Sequence, residues 1–372
     1  MNRHILITGG AGFIGSHLAD TLLERGDRVR VLDSLAPQVH GAGSRRPDYL
    51  HRDVELVRGD IRDAAALQRA LRGVDAVFHL AAAVGVGQSM YRLVHYTEVN
   101  TLGTAALLEA LVERPVGRLV VASSMSVYGE GLYRTVDGVR CGGTERPLAQ
   151  LQAHDWELRD ARGEPLTPVP TPETKSPSLA SVYAVSKHDQ ERLCLMVGQA
   201  YAIPTVALRF FNVFGPRQAL SNPYTGVLAI FAARLLNGRA PILFEDGRQR
   251  RDFVSVRDVC QTCLLSLDRP EAVGRVINVG SGSPRTVLEV AQRLGRMLGR
   301  THIEPEITER YRVGDIRHCF ADISVARNLL GYRPQVSFDD GVAELAAWLE
   351  GQAALDQVGR AGQELAERGL TV

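Results

Sequence analysis

The first residues in this chain able to do chemistry are Thr8-Gly9-Gly10-Ala11-Gly12-Phe13-Ile14-Gly15, which follow a short apolar run and open a helix-type pattern. Glycines at 9, 12 and 15 permit a tight turn and let the backbone approach a pyrophosphate closely. The helix start behind them presents unpaired N–H groups and the positive end of a dipole, so the segment is a phosphate cradle. Eighteen residues past Gly15, Asp33 ends the next β-type run. A carboxylate there accepts both ribose hydroxyls of an adenosine and repels a 2′-phosphate, which favours NAD over NADP. Arg30, Arg45 and Arg46 are the basic residues that could answer such a phosphate. Asp60-Ile61 closes a third run, where spacing alone allows the carboxylate either the adenine edge or a cap on its own turn.

Tyr183 and Lys187, within Tyr183-Ala184-Val185-Ser186-Lys187, fall on one face of a helix predicted over 181–201. A free phenol titrates near pH 10, so a tyrosine acting as a base near neutrality needs a shift of about 3 units, or roughly 4 kcal/mol of electrostatic help. An ammonium and an oxidised nicotinamide can supply it together. Alone, the pair is an ordinary solvated helix pattern; the phosphate cradle in the same chain gives it meaning.

These groups need a scaffold, and the chain alternates short β-type runs (5–8, 29–32, 54–57, 76–80, 119–123) with helix-period segments (13–25, 64–71, 96–112). That alternation implies an α/β fold: a doubly wound parallel Rossmann sheet over 1–208. Helical patterns at 225–236, 256–267, 286–298 and 339–349, with shorter strands between, imply a smaller C-terminal α/β substrate lobe over 209–350. The polar tail 351–372 is helix-prone over 352–368 and is expected to pack weakly or fray. Residues 131–177 carry Pro165, Pro168, Pro170, Pro172 and Pro177 with little apolar periodicity, and are expected to be an insertion that is either functional, such as a lid on the ligand crevice, or disordered.

Composition narrows the function classes. With 372 residues, 45% hydrophobic and 23% charged, the chain can bury a large core. A formal charge of +1 argues against a general nucleic-acid binder. No apolar run approaches the roughly 20 residues that span a bilayer, and the opening apolar stretch is short for a signal peptide, so a cytoplasmic protein without a membrane partner is expected. Cys141, Cys194, Cys260, Cys263 and Cys319 are odd in number and lie mostly in apolar patterns, which fits reduced thiols. Cys141 lacks nearby metal-ligand partners, and Cys260-Gln261-Thr262-Cys263 sits within an apolar helix pattern, so no metal is expected.

Taken in order, the motifs resemble an extended short-chain dehydrogenase/reductase of the nucleotide-sugar epimerase and dehydratase group. Besides the glycine loop and the Tyr183–Lys187 segment, the resemblance is carried by Phe78-His79-Leu80-Ala81-Ala82, by Asn100 with Gly103-Thr104, and by Ser123-Ser124-Met125-Ser126-Val127-Tyr128-Gly129. Arg209-Phe210-Phe211-Asn212-Val213-Phe214-Gly215-Pro216-Arg217 and Arg251-Asp252-Phe253 complete it. It implies that Tyr183 is the catalytic acid/base, that Lys187 binds the nicotinamide ribose and depresses the tyrosine pKa, and that Ser124 hydrogen-bonds the reacting sugar hydroxyl. The implied NAD contacts are Gly9, Gly12, Phe13, Ile14, Gly15, Asp33, Asp60, Ile61, Leu80, Ala81, Ala82, Asn100, Tyr183, Lys187 and Phe211. The implied contacts to a nucleotide-diphosphate sugar are Val84, Ser124, Ser126, Tyr183, Asn212, Arg251 and Arg312, with Arg317 a competitor of Arg312 and the other arginines of 248–251 competitors of Arg251. A homodimer built from the helices near Thr104 and Gln190 is also implied.

The same comparison selects a reaction. Where the group's 4,6-dehydratases carry Asp and Glu, this chain has Met125 and Ser126. A thioether neither gives nor takes the needed proton, and the decarboxylating and 3,5-epimerising relatives place Glu or Cys where Ser126 stands. Oxidation at C4 and return of the hydride to the other face remain, with NAD tightly retained. A UDP-glucose/UDP-N-acetylglucosamine 4-epimerase, a nucleotide-sugar 4-ketoreductase and a non-catalytic dinucleotide sensor are the alternatives; Asp33 argues against the ketoreductase, and Ser124, Tyr183 and Lys187 against the sensor. The segment 218–224 and the insertion resemble a subgroup that includes dTDP-L-rhamnose 4-epimerases, which points to a dTDP-6-deoxyhexose. Cys319, near the position that gates the sugar C2 substituent in UDP-galactose 4-epimerases, permits an N-acetyl sugar, while Val84 replaces a lysine common in those enzymes.

Overall fold

The computed structural model describes all residues except 1, 44, 221, 223, 225, 313, 314, 351, 353–355, 357 and 372. The start of the 225–236 pattern, Ser221 and Pro223 of the 218–224 segment, and Gly314 beyond Arg312 therefore lie outside the described residues. Among the described residues, no helix is long and apolar enough to cross a membrane.

Seven strands form the main sheet: β1 (His4–Thr8), β2 (Arg28–Asp33), β3 (Glu55–Arg58), β4 (Ala76–His79), β5 (Arg118–Ser124), β6 (Thr205–Phe210) and β7 (Val276–Val279). Their order is β7-β6-β5-β4-β1-β2-β3, and every pairing is parallel. Both faces are covered, so alternate residues of one strand feed two cores. Ile5 and Ile7 pack with Leu18, Phe78, Val120 and Leu208, while Leu6 packs with Val77, Leu107, Leu119 and Cys194. Strand order reverses between β1 and β4, opening a crevice at the carboxyl edge where Thr8 pairs in register with both Leu32 and His79.

The helical pattern over 96–112 is interrupted. A turn at Leu93–Tyr96 passes into a wide π-type turn at Thr97–Leu102, then into the helix Gly103–Glu113. The wide turn leaves Asn100 fully buried.

The insertion is folded, unlike the irregular loop its prolines suggest. Leu132–Arg134 pairs antiparallel with Arg140–Gly142 and Thr167–Val169, and Tyr133, Leu158 and Leu166 make a small core. Three short strands sharing three large side chains produce little sequence periodicity. The insertion is pinned to the second lobe by charge: the buried Arg317 side chain lies 2.6 Å from Glu157 and from Asp246 and 2.9 Å from Glu245. Arg146 reaches Glu245 at 2.7 Å.

In the second lobe, Arg250–Ser255 is flanked by Asn212–Phe214, Pro284–Thr286 and His318–Cys319. A third core lies between the helices Val227–Leu236, Val287–Met297 and Phe338–Leu349. The chain does not divide cleanly at 208/209, because β6 continues to Phe210 and β7 returns to the main sheet. The helix-prone tail does form a helix, Val358–Ala366, but it packs more firmly than expected, burying Ala361 and Leu365.

Candidate active site at the carboxyl edge of the sheet

Each glycine of the first turn meets a different constraint. Gly9 has φ +69°, and a Cβ there would stand 2.8 Å from Ala81 Cα and N. At Gly15 a Cβ would meet Gly10 Cα at 2.5 Å. Gly12, which precedes the helix Phe13–Glu24, has only Gly9 O near its Cβ position, at 3.3 Å. Gly9 and Gly15 thus close the turn, while Gly12 keeps an open side at a helix N-terminus, which fits the pyrophosphate of a dinucleotide. Phe13 and Ile14 are half-buried in the same turn.

Asp33 is buried at the end of β2 and accepts from Ala11 N at 3.0 Å and Leu35 N at 2.9 Å, so it fixes the glycine loop as well as facing the crevice edge. Tyr49, which the sequence did not single out, donates its hydroxyl to Ala11 O at 2.9 Å. The Asp60 carboxylate takes the geometry of a turn cap, accepting from Arg62 N at 2.9 Å and pairing with its guanidinium at 2.8 Å. That pairing holds Asp60 below the usual carboxylate range. Ile61 is buried beside Gly103, where a Cβ would come within 2.5 Å of Ile61 Cγ2.

The turn after β4 is tied down on both sides. Leu80 N donates to Thr8 O at 3.1 Å and Ala81 N to Thr8 Oγ1 at 3.3 Å, with Ala82 following. Asn100 accepts from Ala83 N at 2.7 Å and donates to Ala83 O at 3.0 Å and Ser186 Oγ at 2.9 Å. One side chain therefore joins this turn to the helix Val182–Ala200, which carries Tyr183 and Lys187.

At the end of β5, Ser124 Oγ accepts from Ser126 N at 3.2 Å and from Ser126 Oγ at 3.0 Å. The Ser124 hydroxyl also lies close enough to the Tyr183 phenol to act on its ionisation. Met125 is buried in the core, which gives the thioether a packing role. Lys187, 3% exposed, donates to Gln190 Oε1 at 2.6 Å. Gln190 Nε2 donates to Thr104 Oγ1 at 2.9 Å and lies 3.1 Å from His79 Nε2; His79 Nδ1 lies 2.8 Å from Thr8 Oγ1. This chain of buried groups runs from the lysine to β1, and its central member, Gln190, was missed as a site residue although it stands one helical turn from Lys187. Thr104 and Gln190 are both fully buried within the chain, so contacts between copies fall to other residues of their helices.

The electrostatics correct one expectation. Burial lowers the Lys187 ammonium to about 8 and, with the Lys187 charge, lowers His79 to about 3. The Tyr183 phenol is pushed above its ordinary value by burial, and the Ser124 hydroxyl opposes that rise. Lys187 is turned to Gln190, and the Ser124 effect does not outweigh burial, so the phenol stays above its ordinary value.

Among the residues expected to meet the substrate, Asn212 Oδ1 is buried with no hydrogen-bond partner among the described residues. Arg251 points inward with its side chain 12% exposed, donates to Arg317 O at 3.0 Å and lies 3.6 Å from Asp315; Arg248 and Arg250 are exposed. Arg312 is 3.0 Å from Asp315 and 4.4 Å over the Phe244 ring, with its side chain 43% exposed. Arg317, its competitor, is committed to Glu157, Glu245 and Asp246. Cys319 is buried, and its thiol is pushed up to about 12. Val84 is exposed, and Phe211 is buried against Tyr128.

Residues 5–149 and 160–280 match the NAD dependent epimerase/dehydratase family. The chain is 37% identical over 352 residues to the dTDP-L-rhamnose 4-epimerase of Burkholderia thailandensis, covering 93% of this chain and 95% of that one. The UDP-glucose 4-epimerase of Thermus thermophilus in complex with NAD has a TM-score of 0.73 at 32% identity, with 94% of this chain and all of that one covered. The UDP-glucose 4-epimerase of Thermotoga maritima with UDP-glucose has a TM-score of 0.75 at 29% identity, covering 93% and 98%. With its glycine turn, its Ser124–Tyr183–Lys187 cluster and a match over most of its length, the chain belongs to the NAD-dependent epimerase/dehydratase family.

Proposed function

We propose that this chain inverts C4 of a nucleotide-activated sugar through a transient 4-keto form, and that a dTDP-6-deoxyhexose is its substrate. The observation that carries the reaction is the nearness of the Ser124 hydroxyl, at the end of β5, to the Tyr183 phenol on whose ionisation it acts, with Lys187 one turn along the tyrosine's helix. When bound, NAD supplies the acceptor and then the donor of the C4 hydride. Tyr183 takes the proton from the sugar O4 and later returns it. Ser124 holds the same oxygen by donating to it as carbonyl character develops. Lys187 holds the ribose of the dinucleotide. Asn212, Arg251 and Arg312 hold the diphosphate, where a guanidinium fork matches phosphate oxygens.

Met125 supports epimerisation over dehydration, because it is buried and carries no exchangeable proton. The dTDP-6-deoxyhexose is supported by the Burkholderia relative, a dTDP-L-rhamnose 4-epimerase. A UDP-hexose, or its N-acetyl form, is the second reading, supported by the solved UDP-glucose 4-epimerases. A homodimer belongs to the same proposal: Leu102, Val185 and Met196 are 56%, 41% and 50% exposed, and Thr101 Oγ1 bonds Asp189 at 3.1 Å, bringing their segments side by side.

The test is incubation of the purified protein, without added cofactor, with UDP, dTDP, GDP and CDP sugars, following the anomeric signals by NMR. Inversion with C4 deuterium kept on the sugar is expected. Loss of that deuterium to solvent or to added NAD overturns the mechanism.

A further inference from the structure

The C-terminal stretch lies across residues of both halves of the site, and the reading above does not use it. Its base is anchored to the second lobe: the Asp356 carboxylate, 3% exposed, lies 3.1 Å from Arg239 and 3.5 Å from Arg234. The helix Val358–Ala366 then sets Leu365 on Gly87, where a Cβ would stand 3.3 Å from Leu365 Cδ2. Gly87 belongs to the short helix Val86–Ser89, and Ser89 Oγ accepts from Tyr183 N at 3.0 Å. Two contacts thus separate the tail from the backbone of the reacting tyrosine.

Glu364 joins the two halves directly. Its Oε2 accepts from the Tyr91 and Tyr224 hydroxyls, each at 2.9 Å, and the two phenol oxygens are 2.6 Å apart. Tyr91 follows the short helix beneath Tyr183, while Tyr224 comes from the second lobe and lies against Gly85. Past the helix, Arg368 sits 4.4 Å over the Tyr91 ring, and Thr371 pairs with the Arg312 backbone. The tail therefore touches the loop behind Tyr183 at one end and a diphosphate-side arginine at the other. The hydrogen bonds from Tyr224 and Tyr91 hold Glu364 below the usual carboxylate range, so the clasp is charged at neutral pH.

We infer that residues 358–371 are a strap belonging to the substrate site, with Glu364 the positioning residue that clasps Tyr91 to Tyr224 over a bound nucleoside-diphosphate sugar. The inference rests on the 4-epimerase reading for its purpose. A keto sugar that must turn between losing and regaining a hydride has to stay in place, and closure across both halves of the cleft retains it.

The test compares the full-length protein with Glu364→Gln and with deletion of residues 358–372. Glu364→Gln is expected to raise KM for the nucleotide sugar about 10-fold with kcat changed by no more than about 3-fold, the effect of weakening hydrogen bonds to one charged acceptor. Reduced nicotinamide is expected to accumulate faster per turnover, because intermediate escapes. The deletion should exaggerate both effects; if it fails to fold, Glu364→Gln still decides. Hydrogen exchange of the 358–366 amides is read with and without dTDP or UDP, independently of any reaction at the sugar. Protection by the nucleotide without 4-epimerase activity keeps the strap and removes the reaction reading. No protection, with KM and nicotinamide reduction unchanged in Glu364→Gln, overturns the strap.

Discussion

The Lys187 ammonium lies 2.6 Å from Gln190 Oε1, so its position is set from its own helix and not by the tyrosine it accompanies. That arrangement makes the lysine a stability cost. An unfolded lysine titrates near 10.4, and burial lowers Lys187 to about 8. The charged form is therefore disfavoured in the fold; the cost is fully present below pH 8 and is relieved as pH rises toward the unfolded value. A shift of that size corresponds to about 3 kcal/mol, and leaving Gln190 without its donor returns about 1. Lys187→Met should thus gain about 2 kcal/mol in urea unfolding at pH 7, shrinking toward pH 10, while activity falls at least about 100-fold.

Ser124 and Tyr183 separate by pH. The Ser124 hydroxyl is the chain's own group acting to lower a phenol that burial raises. Removing it leaves the tyrosine harder to ionise. Ser124→Ala should lower kcat/KM at pH 7 by about 10- to 100-fold and move the rising limb of its pH profile to higher pH. Tyr183→Phe should lose at least about 1,000-fold and show no recovery at high pH. A parallel loss at every pH in Ser124→Ala would mean that the serine acts only by contact with the sugar.

Asp33 holds one backbone N–H of the glycine turn, Ala11 N, and one just past its own strand, Leu35 N, and in the proposed reading its carboxylate also repels a 2′-phosphate. Asp33→Ala should therefore do two things at once. Stability falls by about 2 kcal/mol in denaturant unfolding, since two buried donors lose their acceptor. The preference for NAD over NADP, measured by titration of cofactor-stripped protein, should largely vanish. Retained discrimination would assign the choice of dinucleotide to other residues.

What sequence made legible follows the range of the interactions. Gly9, Gly12 and Gly15 announce themselves by their spacing in one turn, where the left-handed φ of Gly9 and the close packing of Gly15 on Gly10 are both local. The Tyr183–Lys187 spacing is equally local. Gln190 was within reach of the same reasoning, three residues from Lys187 on a helix, but a glutamine gives no signal until its partners Thr104 and His79 arrive from 86 and 111 residues away. The tail's helical tendency was legible, but its polar composition hid that Ala361 and Leu365 would be buried. The insertion was opaque because its order depends on Arg317, whose Glu157 partner is 160 residues distant.

Arg312 and Arg317 turn this contrast into a measurement. Both are arginines of one segment, and both have acidic neighbours. Arg317 is buried, with Glu245, itself 1% exposed, at 2.9 Å and Glu157 and Asp246 at 2.6 Å. Removing its charge leaves a buried carboxylate short of its partner, which costs about 3–5 kcal/mol. Its backbone carbonyl also holds Arg251, so what remains folded should bind nucleotide sugar poorly. Arg312 has a half-exposed side chain paired to Asp315 at 3.0 Å, an ion pair worth no more than about 1 kcal/mol. Arg317→Met should accordingly lower the unfolding midpoint sharply, whereas Arg312→Met should leave it nearly unchanged and raise KM for the nucleotide sugar. An unchanged KM in Arg312→Met, with the unfolding midpoint also unchanged, would mean that Arg312 does not meet the diphosphate, and a urea titration beside a KM measurement decides the point.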